Sequence, residues 1–160
     1  MTERLTDSAP PITGREDLGD LSRPEQALAQ FYRGLNARDL GLLAENWEQS
    51  NDAVMDNPLG GIKRGWPAIR EVYERIFRGP ARLRVEFHDY TLHVSDTLFY
   101  AVGRERGRFE SGPVALDLAI RTTRVFRRAG RGWRQVHHHG SIEDPALLGA
   151  YQRAVAEPAR

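Results

Sequence analysis

Apolar residues in the first half of the chain recur every three to four positions, which is the period of an amphipathic α-helix. One series follows residues 22–25, whose sequence resembles a capping box with proline in the first turn. Asp39 can cap a second, shorter helix, and the strongest pattern runs from Trp66 to the helix-stopping pair Gly79-Pro80. Three helices are predicted, with apolar faces that include Leu28, Phe31, Tyr32 and Leu35 in the first and Ile69, Val72, Tyr73, Ile76 and Phe77 in the third.

In the second half, apolar residues alternate with polar ones, which is typical of half-buried strands. A short hairpin over residues 53–65 precedes the third helix, and Asp144-Pro145 begins a C-terminal helix. The order predicts an α+β domain in which helices cover one face of a mostly antiparallel sheet. If this sheet is curved and wraps around the three N-terminal helices, a cavity opens at its wide end. The predicted long strands contain Leu83 to Phe87, Leu98 with Tyr100 and Val102, Val114 to Phe126, and Trp133 to Ile142.

The length of the chain and its charge balance limit the classes of protein to which it can belong. The 160 residues suffice for one domain with its own core, and 23 Lys and Arg against 22 Asp and Glu give a net charge of +1. This balance does not favour nucleic acid as a partner. The absence of cysteine excludes disulfides and thiolate chemistry and fits a reducing compartment.

Residues 1–21 combine Pro, Gly, Ser and charged residues without a helical or strand period. We expect them to form a flexible N-terminal arm, followed by one domain over residues 22–157. The sequence has neither the apolar core of a signal peptide nor a stretch of about 18 apolar residues. A cytoplasmic protein without membrane association is therefore expected.

Four segments, in this order and spacing, resemble the nuclear transport factor 2-like superfamily. They are residues 27–39, 65–70, 123–126 and 132–141, the last with the pattern W-x-x-x-H-x-H-x-S. The resemblance is to its SnoaL-like and ketosteroid-isomerase-like members and to the association domain of calcium/calmodulin-dependent protein kinase II. It implies a cone-shaped α+β fold with a small-molecule pocket, but the superfamily holds isomerases, dehydratases, cyclases, transport factors and oligomerisation domains, so no single activity follows.

Two positions depart from the ketosteroid isomerases of that superfamily. Where the resemblance implies a catalytic Asp before a proline, this chain has Asn57, with Asp56 one residue earlier. The tyrosine of the oxyanion site corresponds to Phe31, and Tyr32 lies about 100° away around the helix. Because an amide cannot abstract a proton, ketosteroid isomerase activity is disfavoured. Asp56 could replace this missing catalytic base only if the turn reorients its side chain. The alternative is that Asp56 caps the turn.

The run His137-His138-His139 is the most unusual candidate for chemistry. Strand alternation would place His137 and His139 on one face with Trp133 and Gln135, and His138 on the other. This pair could supply a general base in the cavity, since an unperturbed imidazole titrates near ~6.5. The alternative is structural, with one histidine bonded within the core or an interface and the others exposed.

A metal site would need a third ligand beside the two histidines, from Asp56, His88 or Glu105. No ligand motif supports such a site, so no metal and no other cofactor is predicted. Glu105, which lies among several arginines, is expected to be solvated at the end of a hairpin.

Other residues are candidates for binding a substrate. If buried, Arg121 would clamp a carboxylate or phenolate through its planar guanidinium, and the alternative is a solvated cation. Asn57 and Tyr32 are hydrogen-bonding candidates. The candidates for an aromatic wall could equally belong to the core, and they are Phe31, Trp47, Trp66, Tyr73 and Tyr100.

Two functions remain open. The first is a cofactor-independent acid–base enzyme of the isomerase, dehydratase or cyclase type, which acts on a small apolar or aromatic molecule through His139, His137 and Asp56. The second is a non-catalytic ligand-binding or dimerisation module of the same fold. Apolar residues on both faces of the long strands predict a homodimer through the sheet under either hypothesis.

Overall fold

The computed structural model describes residues 9–156 and confirms the predicted α+β class. None of the helices among these residues is long and apolar enough to cross a bilayer. The end of the predicted domain, at residue 157, lies outside the described residues. The elements are α1 Pro24–Ala37, α2 Leu40–Asn46, β1 Val54–Asp56, β2 Lys63–Arg64, α3 Trp66–Arg78, β3 Arg82–Val94, β4 Leu98–Ser111, β5 Val114–Ala129, β6 Gly132–Ser141 and α4 Pro145–Ala156.

The six strands form one open, mixed sheet in the order β2-β1-β6-β5-β4-β3. Neighbouring strands are antiparallel except β1 and β6, which run parallel, so that Met55 lies beside His138 and Asp56 beside His139. Helix α1 packs against β3 and β6, and α2 packs against β6. We call the face that the helices cover the inner face and the opposite one the outer face.

The predicted apolar stripes of the helices lie in the core. Leu28 and Phe31 of α1 and Ile69 of α3 are at most 1% exposed. The start of α1 differs slightly from the prediction. Its N-cap is Arg23, whose backbone N–H donates to Oε1 of Gln26 at 3.1 Å, so Gln26 rather than Glu25 supplies the side chain of the capping box.

Residues 9–21, the described part of the predicted flexible arm, pack against the domain. Ile12 is 3% exposed, and its N–H and carbonyl both pair with Phe87 on the edge strand β3, at 2.9 and 2.8 Å. The Arg33 guanidinium donates to the carbonyls of Gly14 and Glu16. The prediction was wrong for this part, because one isolated bridge and a few side-chain bonds hold a segment that has no periodic pattern. Residues 1–8 lie outside the described residues.

The buried face of β4 is not the one that carries the apolar series named in the sequence analysis. Phe99 and Ala101 point inward and are fully buried, whereas Leu98, Tyr100 and Val102 lie on the outer face and are 36% to 42% exposed. All five successive residues of this run are apolar, so alternation alone does not define which face is buried.

Candidate functional site

An internal cavity lies between the inner face of the sheet and helices α1, α3 and α4. This inner chamber has a volume of about 70 Å³. A larger apolar cavity of about 390 Å³, the outer chamber, adjoins it between α3, the start of β3 and α4. Ile76 and Tyr151 line both chambers. The outer chamber alone has the size of a small-molecule site, and the smaller inner chamber has an apolar wall that includes Phe31, Leu35, Met55, Val72, Leu118 and Ile120.

A buried ion pair forms the polar floor of the inner chamber. Nη2 of Arg124 donates to Oε1 of Glu105 at 2.6 Å, and the two side chains are 1% and 6% exposed. The Tyr32 hydroxyl donates to the same carboxylate oxygen at 2.9 Å and accepts from Nε of Arg124 at 3.2 Å. Burial raises the pKa of Tyr32 well above 10.0, so the phenol stays protonated and keeps donating.

Further buried groups hold the Arg124 guanidinium in place. Its Nη1 donates to Oε1 of Gln135 at 2.7 Å, and Nε2 of Gln135 donates to Oδ1 of Asn46 at 3.0 Å. The Phe31 ring lies 3.6 Å from the guanidinium carbon, in cation–π geometry. Burial would lower the pKa of Arg124, but Tyr32 and Glu105 raise it above its usual value, so the cation is permanent.

His138 lines the inner chamber and has no hydrogen-bond partner on either ring nitrogen among the described residues. It is 6% exposed and lies directly opposite Arg124 in the β5–β6 pairing. Burial, followed by the positive charge of Arg124, lowers the pKa of His138 well below 6.5. The ring is therefore neutral at physiological pH, with one nitrogen able to donate and the other able to accept.

A β-bulge explains why His138, and not its neighbours, faces the cavity. Val125 pairs with His137 but Phe126 pairs with Gln135, so Val136 is an extra residue in β6. The extra residue reverses the alternation beyond it. The prediction that His137 and His139 share the cavity face with Trp133 and Gln135 was therefore wrong.

Both predicted catalytic histidines lie on the outer face. Nδ1 of His137 is 2.9 Å from the Val54 carbonyl oxygen, and Nδ1 of His139 is 3.3 Å from Oδ2 of Asp56. The structure thus brings the three predicted catalytic residues together, but outside the cavity. Asn57 follows Asp56 in the chain and lines the inner chamber.

The predicted binding residues divide between the cavity, the core and the outer face. Phe31, Asn57 and Tyr73 line the inner chamber, and Tyr32 lies behind them in the ion-pair network. Burial raises the pKa of Tyr73 to about 12, so its hydroxyl also remains protonated. Trp47 and Trp66 are buried in the core and do not line the chamber.

The other two candidates point away from the cavity. Tyr100 stacks on His93 with ring centroids 4.4 Å apart, and Arg121 contacts Glu143 at 3.3 Å with its side chain 58% exposed. At Arg121 the structure agrees with the alternative of a solvated cation and not with a carboxylate clamp, because the strand turns this residue to the outer face.

Sequence reasoning did not assign three of the polar residues that line the chamber, Glu105, Arg124 and His138, to the cavity. Glu105 was expected to be solvated, yet it is 5% exposed. A signal for Arg124 was present, because the apolar series Leu118 and Ile120 continues with period two through Arg124. No comparable signal marks His138, since the bulge at Val136 is not visible in the sequence.

The fold and the chamber define a pocket protein of the nuclear transport factor 2-like superfamily. Residues 25–145 match the SnoaL-like domain family. The chain therefore belongs to that family. A search among curated proteins found no significant match.

Several solved structures share the fold. A protein from Thiobacillus denitrificans, provisionally described as a calcium/calmodulin-dependent protein kinase type II association domain, is 24% identical over 76% of this chain and 95% of its own, with a TM-score of 0.65. A protein from Streptomyces avermitilis, provisionally described as a dehydratase of the family, is 18% identical over 74% and 93%, with a TM-score of 0.68. A superfamily protein from Salmonella enterica is 19% identical over 78% and 91%, with a TM-score of 0.62. At these identities the likeness concerns the fold alone.

Proposed function

We propose that this protein is a cofactor-independent acid–base enzyme that acts on a small, largely apolar or aromatic molecule, with His138 as the group that exchanges the proton. The reaction would be an isomerisation, dehydration or cyclisation, each of which moves a proton at carbon or oxygen. The observation that carries the proposal is the buried imidazole of His138 in the wall of the cavity, which has no hydrogen-bond partner in the described part of the chain.

Buried polar atoms without partners are rare, and they call for an explanation such as a ligand or a catalytic role. A substrate carbonyl in the inner chamber would accept a hydrogen bond from the protonated ring nitrogen of His138, and a substrate hydroxyl would donate one to the unprotonated nitrogen. The lowered pKa keeps the imidazole at neutral pH in the uncharged form that can accept a proton, and it also makes the ring a weaker base than an exposed histidine. Positioned proton transfer of this kind contributes roughly 10²–10⁴-fold to a rate.

The Arg124–Glu105 pair would contribute an electrostatic field of fixed orientation. Its position is set by Tyr32 and Gln135, so it need not reorganise as charge develops on a bound substrate. The remaining wall is mostly apolar, which favours a substrate with few polar groups. The relative described provisionally as a dehydratase is consistent with the reaction class.

Hydrogen exchange into a simple ketone tests the proposal without knowledge of the substrate. Wild-type protein in D₂O should accelerate deuterium incorporation at the α-carbons of cyclohexanone, followed by NMR. His138→Gln should remove the acceleration, whereas Ile62→Ala, which alters an exposed side chain, should keep it. Binding of cyclohexanone without faster exchange would contradict catalysis and favour a ligand-binding module.

A second candidate, an assembly module, is favoured by the outer face. Leu98, Tyr100 and Val102 form an exposed apolar row along β4. Such a row is suited to a homodimer that buries the face against a second copy. Sedimentation equilibrium should then give a dimer for the wild type and a monomer for Val102→Asp, and a monomeric wild type would overturn this part of the proposal.

A further inference from the structure

A second cluster of ligand-bearing side chains lies on the outer face, behind the inner chamber. Asp56, His137 and His139 each offer one ligand atom, and these three atoms lie within 4.8 Å of one another. We infer that these residues form a binding site for one divalent transition-metal ion, with Zn²⁺ as the best match. Two imidazoles and one carboxylate are the donor set of many zinc and non-haem iron sites.

The parallel pairing of β1 and β6 creates the cluster. Val54 lies beside His137 and Asp56 beside His139, so side chains of both strands project from the same face at adjacent positions. The bulge at Val136 then turns both histidines outward together. The third ligand that the sequence analysis required is therefore supplied by Asp56.

The hydrogen bonds prepare the imidazoles for a metal. Nδ1 of His137 faces the Val54 carbonyl oxygen at 2.9 Å, which requires a proton on Nδ1 and leaves Nε2 free as a ligand. A bond from the second ring nitrogen to a backbone carbonyl is typical of metal-binding histidines. The rings of His137 and His139 are 6.5 Å apart between centroids, close enough to converge on one ion.

The surroundings of the Asp56 carboxylate give independent support for a metal site. Its Oδ2 lies 3.3 Å from Nδ1 of His139, close to the spacing of roughly 3.4 Å between ligands of a tetrahedral ion with bonds of about 2.1 Å. Its Oδ1 is buried and has no hydrogen-bond partner among the described residues, so the carboxylate has a free acceptor that bidentate binding of a cation would satisfy. The His139 side chain is 57% exposed, which leaves room for water as a further ligand.

Calorimetric titration of the untagged, chelator-treated full chain with ZnCl₂ tests the site. One equivalent should bind, and Asp56→Asn, His137→Gln and His139→Gln should each weaken binding by about tenfold or more. His88→Gln is the matched control, because His88 also lies beside a carboxylate, Glu86, at 3.2 Å, but lacks a second imidazole. This control should keep the wild-type affinity.

The outcomes separate a metal site from a plain His139–Asp56 ion pair. Saturable Zn²⁺ binding at one site, together with ligand-field absorption of bound Co²⁺ in the wild type, supports the inference even if a variant folds poorly. Absence of saturable binding, or equal weakening by His88→Gln, would overturn it. Cyclohexanone exchange by His138 does not depend on this result, so either proposal can fail alone.

Discussion

Arg124 and His138 face each other across strands β5 and β6, and both side chains line the inner chamber. The permanent charge of Arg124 is compensated by Glu105, whereas the imidazole of His138 has no partner within residues 9–156. The arrangement places an uncharged proton donor and acceptor beside a neutralised ion pair in a mostly apolar cavity. Because the polar groups of such a site are already oriented, they need not reorganise when charge develops during proton transfer.

Removal of one member of the buried pair should destabilise the fold strongly. Glu105→Ala leaves the Arg124 cation buried and uncompensated, which typically costs about 3–5 kcal/mol of the free energy of unfolding. Urea denaturation measures the change. The matched control is Glu110→Ala on the same strand, which removes an exposed pair with Arg108 at 2.8 Å and should cost at most about 1 kcal/mol. Equal losses in the two variants would show that the Arg124–Glu105 pair is not critical.

His138 should make stability depend on pH in a defined direction. Its pKa is lowered in the folded state, so below about 6.5 the unfolded chain binds a proton that the folded chain does not. The free energy of unfolding should therefore fall as pH decreases through 6.5, by up to about 1.4 kcal/mol per unit, until the folded-state pKa is reached. Urea melts of His138→Gln should show a flatter profile between pH 6.5 and 5. The control His93→Gln retains His138 and should retain its slope, and identical profiles for His138→Gln and the wild type would contradict the burial of a neutral imidazole.

The N-terminal segment should contribute measurably to stability. Ile12 is 3% exposed and pairs with the edge strand, so Ile12→Ala should lower the free energy of unfolding by about 2–4 kcal/mol. Ile62→Ala is the same change at a side chain that is 51% exposed, and it should cost about 0.5 kcal/mol or less. If Ile12→Ala cost no more than this control, the segment would not be packed in solution.

The fold could be predicted because its signals are local and repeated. The apolar residues of α3 recur with a helical period between Trp66 and Gly79, and this local pattern predicts a helix without any knowledge of tertiary contacts. The identity of the residues in the candidate site depends instead on a shift of one residue in the pairing of β6 with β5. If Val136 followed regular alternation and did not form a bulge, period two would send His137 and His139 into the chamber and turn His138 outward, as the sequence predicts.

The buried Arg124–Glu105 pair illustrates a second limit of prediction from sequence. Arginine and glutamate are almost never fully buried unless paired, so each residue alone is expected to be solvated. Arg124 and Glu105 are distant in sequence, and their contact follows from the register of β4 against β5. The apolar series that includes Ile120 indicates the inward position of Arg124, but only the three-dimensional pairing supplies its partner.

The most direct test of the central claim is an NMR titration of protein labelled with ¹⁵N in its histidine rings, with and without cyclohexanone. The account predicts that His138, assigned through the His138→Gln spectrum, stays neutral well below pH 6.5 and that its ring nitrogens shift when cyclohexanone binds. An imidazolium at His138 near pH 6.5, or ring signals that cyclohexanone leaves unchanged while it binds elsewhere, would contradict the assignment of His138 as the proton-exchanging group of the chamber.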